Sequence, residues 1–136
     1  MSILKRISPA LAAKILITLM ILTLLYHLII VLGLIPYDAV WGGRLESEEQ
    51  MYSFEFVSIV INLLMLFIVL LKGSYIKIKY PKLIVSVFLW IMAILFAINT
   101  VGNIFSNSLT EAVIFTPITI VNSVLCLKLA LDKEHK

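Results

Sequence analysis

Glu55 is the residue that most needs a chemical explanation. It lies about two turns inside the start of the second expected helix, at the edge of a long apolar stretch. A carboxylate withdrawn from water must be paired, hydrated or protonated. Two partners are available in the sequence: His27, in the outer half of an earlier apolar stretch, and Arg44, in the polar joint between the two. A Glu–His couple can exchange a proton, because both types titrate when buried. Around it stand side chains suited to hydrogen bonding, namely Asn62, Asn99, Asn103, Thr116 and Asn122. Such a set suits a small or lipid-like ligand, bound or helped across a membrane.

The spacing ties these residues together. Glu48, Tyr52, Glu55, Ile59 and Asn62 recur at helical intervals, with Ser58 beside them, and make one stripe. Thr23 and His27 share a face, as do Asn99 and Asn103. Thr116, Thr119, Asn122, Ser123 and Cys126 form a small, polar face. Helices that each carry one polar face in an apolar setting turn those faces together, so the sequence predicts one shared polar pocket. Each residue also has a purely structural reading. Membrane asparagines often join helices, at roughly 1 kcal/mol each or less. His27 can serve as such a joint, and Arg44 can pair with Glu46, Glu48 or Glu55.

The elements that must position these groups are four apolar stretches, residues 15–35, 56–71, 83–101 and 112–131. Each approaches the roughly 20 residues that a membrane-spanning helix needs. Backbone in hydrocarbon must satisfy its own hydrogen bonds, so helices are expected. The expected fold class is all-α, an integral membrane four-helix bundle in a single domain over residues 1–136. The expected helices cover about 9–33, 48–72, 81–102 and 109–132, with an outer loop at 34–47 and a cytoplasmic loop at 73–80. Ser8-Pro9 is a helix start. Ser47-Glu48-Glu49-Gln50 and Ser108-Leu109-Thr110-Glu111 read as capping boxes. Pro117, inside the fourth stretch, removes a hydrogen bond to the Val113 carbonyl and predicts a kink near the pocket.

Charge sets the expected orientation. Lys5, Arg6, Lys14, Lys72, Lys77, Lys79, Lys82, Lys128, Lys133 and Lys136 fall on one side if the chain crosses four times; of the 11 basic residues only Arg44 is left for the other. The positive-inside rule puts both termini in the cytoplasm of a cell membrane, and an Ile-, Lys- and Asn-rich composition suggests a bacterial one. The net charge of +3 then reflects orientation and contact with anionic headgroups, not a nucleic-acid partner. Residues 75–80 alternate apolar and basic and read as an interfacial segment.

The outer loop holds the most distinctive stretch. Tyr37 and Trp41 are interfacial anchors. Gly42 and Gly43 permit a tight turn before Arg44. The loop can fold over the pocket as a lid. The single cysteine, Cys126, excludes an intrachain disulfide and paired-thiol redox chemistry. His27 and His135 fall on opposite sides, so no metal or haem site is expected, and no cofactor. No phosphate-binding glycine loop or nucleophile elbow is present. Two other readings remain: a structural or regulatory membrane subunit without its own ligand, and a membrane-embedded lipid-modifying enzyme with Glu55 and His27 as acid and base. Homo-oligomerisation or a membrane partner is expected if the protein transports, since a single bundle leaves little room for a pore.

Overall fold

The computed structural model describes residues 2–133, so His135 and Lys136 lie outside the described residues. A short helix, α1 (Ser2–Arg6), precedes four long ones: α2 (Pro9–Val31), α3 (Glu48–Lys72), α4 (Lys82–Ile104) and α5 (Leu109–Leu131). The fold is all-α, with no strand among the described residues. The four long helices, of 23, 25, 23 and 23 residues, are long and apolar enough to cross a membrane, as in a multi-pass membrane protein.

The helix starts follow local chemistry. The Ser8 Oγ accepts the Leu11 N–H at 3.2 Å and Pro9 occupies the first turn. Ser47 and Ser108 cap α3 and α5 by accepting the N–H groups of Gln50 and Glu111. Neither capping box closes reciprocally. The Gln50 side chain accepts from the Glu46 N–H instead, and that of Glu111 turns to the loop between α2 and α3. α2 ends before Gly33, whose φ of +75° leaves the helical region. α4 starts after Pro81 and runs on to Ile104, which brings Asn103 inside the helix. α1 was not expected. Residues 77–80 have no regular structure.

Neighbouring helices pack in the ring α2–α3–α4–α5, with α4 against α5 the most extensive contact and α3 against α4 the least. One end of the bundle carries residues 32–47 and 105–108; the other carries residues 73–81. At the second end the core is wholly apolar. Ala12, Ala13 and Leu16 of α2 meet Val69 and Leu71 of α3, Leu89 of α4, and Cys126 and Leu129 of α5. The alanines let the backbones close up: a Cβ at Gly73 would stand 3.0 Å from that of Ala13. A separate cluster of Ile30, Val40, Leu45 and Met51 seats the first loop on the bundle. The outer surface is apolar, with Phe56, Leu83, Ile98 and Val113 all strongly exposed.

Candidate functional site

Toward the loop end the bundle is inverted: its interior is polar. Among the described residues Glu55, Thr119 and Asn122 are the buried polar ones, at 0%, 8% and 2% exposure. They border a cavity of about 360 Å³ walled by α2, α3, α4, α5 and the first loop. Three of the helices supply one stripe each: Thr23, Tyr26, His27 and Ile30 from α2; Glu55, Ser58 and Asn62 from α3; Phe115, Ile118, Thr119 and Asn122 from α5. These are the i, i+3, i+4, i+7 intervals of one helix face.

Glu55 organises the cavity wall. Its Oε2 lies 2.6 Å from the His27 Nδ1, an ion pair when the ring is protonated. Its Oε1 accepts the Trp41 indole N–H at 2.8 Å. The carboxylate thus joins α2, α3 and the loop in one chain of charge-assisted bonds. Trp41 holds a left-handed backbone, φ +54°, a conformation that costs a non-glycine residue roughly 1–2 kcal/mol. Its bond to Glu55 and its edge-on packing against Phe54, 5.2 Å between ring centroids, hold it there.

A second carboxylate holds the same loop from the opposite wall. Glu111 Oε2 accepts the Gly42 N–H at 2.6 Å and the Ser106 hydroxyl at 3.1 Å. Gly42 is buried at φ +73°, and its carbonyl accepts the Asn107 N–H at 3.2 Å. Arg44 Nη2 donates to the Phe105 carbonyl at 2.8 Å and makes no ion pair among the described residues. The expected pairing of Arg44 with Glu46, Glu48 or Glu55 does not occur. Three short bonds, from Trp41, Gly42 and Arg44, therefore fasten the loop over the loop end of the cavity.

The predicted residues divide. His27, Glu55, Asn62, Asn99, Asn103, Asn122, Trp41, Gly42 and Arg44 all line the cavity. Thr116, Tyr37, Gly43 and Pro117 are not among its lining residues. Thr116 stands about 100° around the helix from Phe115, so it misses the inward stripe; its hydroxyl is buried without a partner among the described residues. Tyr37 packs on the Ile30–Val40 cluster. Pro117 is exposed on the outer side of a continuous α5, and Val113, whose carbonyl it frees, is exposed too. Tyr52 is also exposed.

Several polar groups are satisfied within the protein. Asn62 Nδ2 donates to Ser58 O in its own helix at 2.8 Å. Thr100 bonds Thr119 at 2.9 Å, and Ser123 donates to Ala93 O at 2.7 Å, so α5 is joined to α4. Asn122 differs: its Oδ1 is buried and has no partner among the described residues.

Sequence reasoning missed Glu111 as a wall residue and gave no role to Tyr26 or Phe115. Tyr26 and Phe115 stack across α2 and α5, 4.8 Å between centroids. The capping motif explained Glu111 fully in local terms, which hid its long-range role. No three or more His, Cys, Asp or Glu side chains gather into a metal site among the described residues. Comparison with protein-family models, with curated proteins and with solved structures finds no match.

Proposed function

We propose that this chain is a four-span protein of a cell membrane, bacterial by its composition, with both termini in the cytoplasm. Its polar pocket, in the half of the bundle away from the cytoplasm, binds a small or lipid-like ligand. The observation that carries the reading is the inversion around the cavity. Buried Glu55 and Asn122 face an open space of about 360 Å³, within the roughly 300–1,000 Å³ of small-molecule sites. The basic residues support the orientation: Arg44 alone stands at the loop end, while the other described lysines and arginines flank the opposite end or the termini. There they meet anionic headgroups.

The test is thiol labelling in a Cys126→Ala background, with a membrane-impermeant reagent applied to intact cells. Ser47→Cys is expected to react, Ser74→Cys only after permeabilisation, and Asn103→Cys with a small membrane-permeant maleimide applied in parallel. A Ser74→Cys that reacts from outside overturns the orientation. An Asn103→Cys inert to the permeant reagent overturns the pocket.

A second reading, a structural or regulatory subunit, is favoured by the self-contained bonds of Asn62, Thr119 and Ser123. On that reading Glu55→Gln and His27→Ala lower assembly with a partner or copy and leave ligand retention unaffected.

A further inference from the structure

The cavity has a side opening. On α4 its lining spreads from inward-facing Phe96 and Asn103 round to Ile98, Asn99 and Gly102, which are exposed. Ala93 and Thr100 of α4 face α5, so at about 100° per residue Asn99 lies on the other flank, toward α3, with Gly102 next to it. α3 and α4 touch least among the neighbouring pairs, and a Cβ built on Gly102 meets nothing within 4 Å. The loop end is covered by Val40, Trp41 and Gly42, of which Val40 and Gly42 are buried. The mouth therefore opens between α3 and α4, among exposed apolar side chains, into the region that a bilayer would fill.

The chemistry inside favours one kind of head group. Glu55 is matched by His27. Arg44 also lines the cavity, but it is exposed at the loop end and its guanidinium donates to the Phe105 carbonyl; Glu111, more buried, is bound by a backbone N–H and a hydroxyl, with no ion pair among the described residues. Tyr26 lines the same cavity as Glu111 and Glu55, and its ring packs at a tilt against Phe115, 4.8 Å between centroids. A carboxylate without a counter-charge beside aromatic faces is the environment that attracts an ammonium group. The cavity has room for a head group, and a long chain must leave by the mouth.

Resting on the pocket reading above, we infer that this site takes the ammonium head of a single-chain amphiphile, whose alkyl chain leaves between α3 and α4. A zwitterionic lysolipid and a simple alkylammonium share that chemistry.

The test measures retention of dodecyltrimethylammonium, lysophosphatidylcholine and dodecyl sulfate on the purified protein by native mass spectrometry from maltoside micelles. One dodecyltrimethylammonium per chain is expected, with dodecyl sulfate at least about tenfold weaker, a difference of about 1.4 kcal/mol. Retention of lysophosphatidylcholine as well assigns the site to a zwitterionic lipid; retention of the alkylammonium alone assigns it to a cationic amphiphile. Gly102→Phe, which places a ring in the mouth, and Glu111→Gln are each expected to weaken binding about tenfold. Ile104→Phe, on an exposed part of α4 outside the lining, leaves it unchanged. Equal retention of dodecyl sulfate, or a Gly102→Phe protein that binds as the parent does, overturns the inference. Asn103→Cys labelling on the same preparation separates the two readings: a labelled cavity with no ammonium preference ends this inference alone, and an unlabelled one ends both.

Discussion

Replacing Glu55 by leucine tests whether the His27–Glu55 contact is a charged pair or an ordinary polar joint. The 2.6 Å separation and the 1% exposure of the Glu55 side chain place it at the short, desolvated end of charge-assisted bonds. Removing one partner of a buried pair costs about 3–5 kcal/mol. Glu55→Leu also strands the Trp41 N–H, but Trp41 is 36% exposed, so that loss falls near the low end of about 1–3 kcal/mol. His27→Leu leaves the carboxylate with Trp41 alone. In the double variant only the Trp41 N–H is left without its acceptor, and removing both partners of a bond is nearly neutral. Each single variant should therefore be less stable than the parent by several kcal/mol, and the double variant far less damaged than their sum. Partners found in the unfolded state reduce the coupling, but at least about 2 kcal/mol should remain. Neutral hydrogen bonds between membrane helices average roughly 0.6 kcal/mol and reach about 1.7. The assay is reversible unfolding in mixed micelles across the double-mutant cycle. A coupling of about 0.6 kcal/mol or less would refute the charged pair and leave His27 and Glu55 as one more polar joint.

Three further outcomes follow from the loop and the apolar end. Gly42→Ala forces an L-residue to φ +73° with its Cβ 3.4 Å from Arg44 Nε; a loss of about 1–2 kcal/mol is expected in the same unfolding assay. Trp41→Phe keeps the ring but removes the bond to Glu55, so amide exchange in residues 37–44 should quicken about tenfold, the factor for 1.4 kcal/mol, while exchange around Leu89 and Leu129 is unchanged. At the opposite end Gly73→Leu drives a side chain into Ala13 and Tyr75, 3.0 Å from each at the Cβ alone, and should cost about 1–3 kcal/mol, read as a lower midpoint with the thiol reactivity of Asn103→Cys preserved.

The helices were legible because their causes are local. Uninterrupted apolar length sets four long helices, and Ser8, Ser47 and Ser108 mark where three of them start. The stripes were legible too, since a fixed turn of about 100° per residue puts Glu55 beside Ser58 and Asn62 without knowledge of any neighbour. Where two local signals compete, the rule weakens: Thr116 and Thr119 belong to one polar run, and only the packing of α5 decided that Thr119 faces inward. What the chain could not disclose is how its joints fold back. Arg44 had three plausible acidic partners nearby in sequence and chose the Phe105 carbonyl, 61 residues away. Glu111 looked fully used as a cap, yet it anchors Gly42 across 69 residues. The lateral gap between α3 and α4 has no signature along the chain, because a gap is set by how two helices lean and not by what either contains. Periodicity reports the face a residue lies on; which face meets which neighbour, and where they part, is a property of the assembled bundle.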